Sequence, residues 1–164
     1  GFPGGKPEPG DADLQATALR ELSEEVGVGA DEVAVLGRLG AVPVITGRYL
    51  IHPFVAALGE GAAPRVASAE IARVLSLPLE PLLSGALPYH AVEGSFRGER
   101  VLAPHFPLDG CVLYGASAYI VYDLLARLAA RLGRELPAPI LDTDPPWGDR
   151  YRREQSTSAG YRRD

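Results

Sequence analysis

An α/β domain is the fold class this sequence predicts, on three observations. Apolar residues recur at helical spacing in two segments, near 14–26 and 117–132. Runs rich in Val, Ile, Tyr and Phe lie between them and read as strands. The chain has 164 residues, of which 46% are hydrophobic, which is ordinary globular content and enough for one domain with a core.

Residues 1–10 are dense in Gly and Pro and predict a loop. Asp11 or Asp13 can cap the helix that follows. Leu14, Ala18, Leu22 and Val26 recur every four residues and are its expected buried side, and Gly27 is placed to end it in a left-handed cap. Val33–Leu39 and Arg48–Leu58 are expected strands. Ala69–Leu83 reads as a strand and then a short helix, punctuated by Pro78. A hairpin is expected with strands near 89–96 and 100–106 and a turn at Arg97-Gly98. Ser117 is placed to cap the second long helix, to Leu132. Ile120, Leu124, Leu125, Leu128 and Leu132 form its apolar face, and Gly133 stops it. From 136 to 164 the chain turns Pro-rich and then Arg-rich and is expected to be a disordered tail.

The net charge of −5 argues against general nucleic-acid binding, which wants a basic surface. A single cysteine, Cys111, excludes an internal disulfide and fits a cytoplasmic location; it is expected to be a small buried residue rather than a catalyst. The apolar stretch Cys111–Ala130 is long enough for a bilayer, but Asp123 and Arg127 inside it argue for an amphipathic helix and no membrane. GFPGGKPE lacks the P-loop pattern, since Pro7 stands where a hydroxyl belongs. No Gly-x-Ser-x-Gly setting suggests a serine nucleophile. His52, His90 and His105 are scattered and show no metal-ligand spacing.

The chemistry concentrates between Gly4 and Val28, in GGKPEPGDADLQATALRELSEEVGV. Glu21 is three residues from Glu24 and four from Glu25, so the carboxylates share a helical face. Unpaired like charges at these spacings cost about 0.2–0.5 kcal/mol per pair. Acids near a helix C-terminus also meet the negative end of its dipole. A hard divalent cation gives such a cluster a use, because Mg²⁺ and Mn²⁺ take several oxygen ligands.

The segment resembles the Nudix box, G-x5-E-x7-R-E-U-x-E-E-x-G-U with U a bulky aliphatic. Arg20, Glu21, Leu22, Glu24, Glu25, Gly27 and Val28 fill every fixed position of its second half. The first half departs: Asp11 stands where Glu belongs, and one extra residue separates it from Arg20. The same wording, FPGGK and then GDADLQATALRELSEEVG, is similar to the coenzyme A diphosphatase branch of the Nudix hydrolases. Three later pieces, VPVITGRYLIHPFVAAL, AEIARVLSLPLEPLL and RVLAPHFPLDGCVLYGASAYI, resemble that branch in the same order, with Tyr114-Gly115 where the branch would have Trp-Gly.

The resemblance implies a Nudix fold, an α-β-α sandwich around a mixed β-sheet. It implies a domain over 1–135 that lacks one or more N-terminal strands, since the chain begins inside FPGG. It implies metal-dependent hydrolysis of the pyrophosphate in a nucleoside diphosphate linked to a group X. Coenzyme A or acyl-CoA is the expected substrate; ADP-ribose, NADH or another nucleotide, or a non-catalytic ligand-binding module, are the alternatives. Glu21, Glu25 and Glu24 would hold Mg²⁺ or Mn²⁺ with the carbonyl of Gly5, and Arg20 would orient a glutamate. Lys6 is a candidate for a substrate phosphate. The base is a box glutamate or a distant loop acid, with Glu70 and Glu93 the candidates for the latter, and Glu70 is also a candidate substrate contact. The partner is a small nucleotide, with a homodimer compatible.

Overall fold

A computed structural model describes residues 1–44, 48–96 and 98–148. In chain order the elements are α1 (Leu14–Val26), one 3-10 turn (Ala30–Glu32), β1 (Val33–Arg38), β2 (Val42–Pro43), β3 (Leu50–Ile51), β4 (Phe54–Leu58), α2 (Leu79–Ser84), β5 (His90–Phe96), β6 (Glu99–Leu108), β7 (Cys111–Leu113), α3 (Ala116–Arg131) and β8 (Ile140–Asp142). They fall into two compact units. One holds Gly1–Gly40 and His52–Ser76, the other Ala41–Ile51 and the chain from Leu77 on.

In the first unit α1 starts at Asp13, whose carboxylate accepts the Ala16 N–H at 2.8 Å. It stops at Gly27, where φ is 65° and the N–H returns to the Ser23 carbonyl. A helix end leaves carbonyls without partners, and a later stretch takes them up. Ala67 N–H donates to the Glu25 carbonyl at 3.1 Å and Arg65 N–H to that of Val26 at 2.9 Å. The Arg65 guanidinium reaches the Gly27 carbonyl at 3.2 Å. β1 and β4 pair antiparallel with a bulge at Leu36.

Several expectations shift here. Of the four apolar positions only Val26 is buried; Ala18 and Leu22 are intermediate and Leu14 is exposed. Thr17, Glu21 and Glu25 are covered to the same degree as Ala18, Leu22 and Val26, and Gly5 of the Gly/Pro loop packs on Glu21. The expected strand over 48–58 divides at Pro53, which has no N–H to give a ladder and offers its carbonyl to Leu39. No strand forms at Ala69–Ser76: its N-terminal flank is bonded to the end of α1, and a turn closes from Ile71 N–H to the Ser68 carbonyl. The short helix after Pro78 does form, as α2.

The second unit carries a four-stranded sheet in the order β7-β6-β5-β8. β5–β6 and β6–β7 pair antiparallel and β5–β8 pairs parallel, so the sheet is mixed as the fold class requires. The hairpin strands fall where expected. Gly98 has φ 82°, and Arg97 lies outside the described residues. α3 begins at Ala116 after Gly115, so Ser117 sits inside the helix rather than capping it. Its buried line is Ala118, Val121, Leu125 and Ala129, while Leu132 is exposed. These residues meet Leu82, Leu83, Tyr89 and Phe106 in one core, with the Tyr89 and Phe106 rings stacked at 5.5 Å. Cys111 is exposed, contrary to expectation, because it opens β7 directly after the Asp109-Gly110 turn. The segment read as tail contains β8; residues 149–164 lie outside the described residues. No helix among the described residues is long and apolar enough to cross a membrane.

Candidate active site

Arg20 organises the loop against α1. Its Nε and Nη2 donate to the two oxygens of Asp11 at 3.1 and 3.2 Å. Nη2 also donates to the carbonyl of Lys6 at 3.0 Å, and Nη1 to Glu21 and Glu24 at 3.0 Å each. Such two-pronged, charge-assisted bonds fix direction as well as distance. The Asp11 bonds above all keep the guanidinium firmly protonated. Asp11 in turn is lowered to about 2, chiefly by Arg20, with help from the Glu8 N–H and the Thr17 hydroxyl. The cap position belongs to Asp13, so the two acids divide the work: one starts the helix, the other holds Arg20. The substitution of Asp for Glu in the first half of the motif therefore leaves a strong ion pair.

Glu25 feels the negative charges of both Glu21 and Glu70. Burial pushes the Glu25 carboxyl above its ordinary value, and the charges of Glu21 and Glu70 push the same way. A hydrogen bond from the Gly4 N–H opposes them. Glu70 thus joins the cluster although it lies far along the chain, because the 65–67 stretch is bonded to the end of α1. Glu93 belongs to the other unit and pairs with Arg100 at 2.5 Å.

Gly5 lies against the Glu21 carboxylate so closely that a Cβ there would collide with it. Only glycine lets a backbone come that near. Carboxylates of one sign that share a helix face, as Glu21 and Glu25 do, suit a hard cation of the Mg²⁺ or Mn²⁺ kind. Lys6 contributes its carbonyl to Arg20, and the residue is exposed.

A second polar group was missed in the sequence. His90 and His105 face each other across β5 and β6, and Asp142 on β8 bonds to both. Those bonds, that of His90 foremost, hold the Asp142 carboxyl below its ordinary value. The hairpin register carried half of the signal: a two-residue turn at 97–98 sets residue 90 opposite 105.

Comparison with known proteins agrees with the motif. The NUDIX domain family model matches residues 1–94. The chain is 35% identical over 123 residues to the uncharacterized Nudix hydrolase NudL of Photorhabdus laumondii, covering 75% of this chain and 65% of that protein. It is 32% identical over 133 residues to the protein of the same name from Citrobacter koseri, covering 79% and 67%. The Yersinia pestis protein of that name is 37% identical over 92 residues, 56% of this chain and 45% of that one. The chain spans about two thirds or less of these relatives.

Proposed function

Because this chain belongs to the Nudix family, we propose that it is a pyrophosphohydrolase: it splits the phosphoric anhydride of a nucleoside diphosphate linked to another group, with Mg²⁺ or Mn²⁺. Water adds to one phosphorus and the bridging oxygen leaves with the other, giving two phosphate monoesters. The observation that carries this reading is the Glu21 carboxylate packed against Gly5, its charge felt at Glu25 together with that of Glu70, with Arg20 fixing Glu21 and Glu24. Without a cation such a cluster repels a polyanionic substrate. When bound, the cation supplies positive charge that offsets the phosphoryl oxygens.

Glu21, Glu25 and Glu24 hold the cation in this proposal, with the Gly5 carbonyl. Arg20 is a positioning residue: its guanidinium is committed to Asp11 and the Lys6 carbonyl on one side and to Glu21 and Glu24 on the other. Glu70 is the residue we assign to the base in this proposal; its charge felt at Glu25 supports that reading. Lys6 is the loop residue we assign to a substrate phosphate.

For the substrate we propose coenzyme A or an acyl-CoA, with phosphopantetheine and adenosine 3′,5′-bisphosphate as the products from coenzyme A. FPGGK, the exact wording around Arg20 and the order of the later pieces support this choice. A cytoplasmic site of action goes with it. The test is hydrolysis of coenzyme A, ADP-ribose and NADH by the protein, with Mg²⁺ or Mn²⁺ and with a chelator. Coenzyme A cleaved fastest, and only with metal, is expected. Faster cleavage of ADP-ribose or NADH removes the coenzyme A assignment and leaves the reaction. A folded protein that binds Mg²⁺ and cleaves none of them argues for a ligand-binding module.

A further inference from the structure

The sheet of the second unit builds another donor set, and strand register is what builds it. His90 lies opposite His105 across β5 and β6, while Val92 lies beside Asp142 across β5 and β8. Side chains alternate along a strand, so His90 and Val92 share a face, and their neighbours across the ladder share it too. Three adjacent strands therefore deliver His90, His105 and Asp142 to one place. Nδ1 of His90 is 3.1 Å from each oxygen of Asp142, and Nε2 of His105 is 2.9 Å from one of them. One donor atom from each residue lies within 4.8 Å of the other two.

We propose that His90, His105 and Asp142 form a binding site for a transition-metal cation of the Zn²⁺ class, with a donor set separate from the carboxylates of α1.

Donor chemistry comes first. Two imidazole nitrogens and one carboxylate oxygen suit Zn²⁺ and its neighbours in the first transition row, whereas an all-oxygen set suits Mg²⁺ and Mn²⁺. The same chain thus offers two sites that differ in softness. Distance agrees. Bonds of about 2.0–2.2 Å place tetrahedral ligand atoms about 3.3–3.5 Å apart. The two His–Asp separations are slightly shorter than this, and the third lies within 4.8 Å, with the His90 side chain 26% exposed.

Burial is the third point. His105 is 2% exposed, and its Nδ1 has no hydrogen-bond partner among the described residues. The whole polar anchorage of this buried ring is its Nε2 contact with Asp142. Its far side is dry, because Trp147 meets it edge-on at 5.5 Å and is itself stacked on Tyr114. A cation there would join β8, a strand of three residues, to the hairpin beside it. That is a clamp on the sheet edge, with a fourth coordination position left for water or a ligand.

The test uses the full chain, stripped with a chelator, dialysed, and returned to excess Mg²⁺ so that the oxygen site is filled. Zn²⁺ is then titrated by calorimetry, and Co²⁺ by its visible absorption. One Zn²⁺ per chain is expected, with intense Co²⁺ bands of a low-coordinate, nitrogen-containing site. His90→Gln and Asp142→Asn should each weaken Zn²⁺ by about tenfold or more, while a Glu21→Gln, Glu25→Gln double variant should keep wild-type Zn²⁺ affinity. Unchanged Zn²⁺ affinity in His90→Gln overturns the proposal, and so does loss of binding in the glutamine double variant alone. No Zn²⁺ uptake in excess Mg²⁺ overturns it as well and leaves a hydrogen-bonded clasp. If Asp142→Asn fails to fold, the partly exposed His90 carries the test alone. Binding is read without turnover, so the outcome is independent of the hydrolase assignment.

Discussion

Glu25 and Asp11 sit in one loop-helix motif and respond to pH with opposite signs. The Glu25 carboxyl is raised above its ordinary 4.5 by burial and by the Glu21 and Glu70 charges, so the folded metal-free protein holds that proton more tightly than the unfolded chain. Its share of stability is present at low pH and is lost as pH rises through the ordinary glutamate range and on to the raised value. Asp11 is lowered from 3.8 to about 2, so its share is present above 3.8 and disappears as pH falls to about 2. Urea titrations from pH 2 to 8 in chelator should show both limbs. Glu25→Gln should flatten the upper limb and Asp11→Asn the lower; the same two limbs in both variants would refute the assignments. Glu25→Gln should also lower kcat by about 10²–10³ and weaken Mg²⁺ binding with the fold intact. Near wild-type turnover would remove Glu25 from the site. The three box glutamates were legible because their spacing on a helix is itself the signal. Asp11 was only half legible: a cap and an arginine partner look alike in sequence, and the choice was made by Asp13 taking the Ala16 N–H. Glu70 was legible only through the resemblance of AEIARVLSLPL to the coenzyme A diphosphatase branch, and its electrostatic link to Glu25 was not, since that follows main-chain bonds from a distant stretch to the end of α1.

At the scale of elements, two glycines tie backbone shape to the site. Gly5 tolerates no Cβ because the Glu21 carboxylate occupies that space, whereas Gly4 has open space at the same point. Gly5→Ala should therefore weaken Mg²⁺ binding and turnover with unchanged helix content, and Gly4→Ala should behave nearly as wild type. Equal effects from the two would mean that loop flexibility, not the approach to Glu21, is what matters. Gly27 ends α1 at φ 65°, and a Cβ there would lie 3.2 Å from the Arg65 guanidinium carbon and 3.3 Å from the Ala67 Cβ. The left-handed conformation alone costs a non-glycine residue about 1–2 kcal/mol, so Gly27→Ala should destabilise by at least that much in urea. The hairpin and both long helices were legible from turn chemistry and period. β7 was legible too and was passed over: Asp109 and Gly110 have φ 40° and 74°, the pairing an Asp-Gly hairpin turn provides. β8 was not, because a parallel neighbour fifty residues away has no turn to set its register, and prolines on both sides gave the segment the composition of a tail.

For the whole molecule, the proposed carboxylate site would make cation binding a term in folding. A ligand that binds only the folded state stabilises it by RT ln(1 + [L]/Kd), about 2.7 kcal/mol at one hundred times Kd. For a chain of 164 residues each kcal/mol moves Tm by about 2–4 °C, so saturating Mg²⁺ should raise Tm by about 5–10 °C over chelator. The gain should depend on pH in a definite direction. In acid Glu25 is already relieved by its proton, and Mg²⁺ must displace that proton to bind. As pH rises Glu25 gives up that proton, so the cation has more charge to offset. The Tm difference between Mg²⁺ and chelator should therefore widen from pH 5 to pH 8. A Glu21→Gln, Glu25→Gln double variant should abolish the difference while its chelator-state Tm at pH 8 is at or above wild type, because the same substitutions remove the repulsion. If the double variant keeps the full Mg²⁺ shift, the cation binds elsewhere on the chain. If wild type shows no shift at any pH while the Asp11 limb of the titration stands, the loop and Arg20 form the observed network without holding a metal, and the metal-site assignment falls.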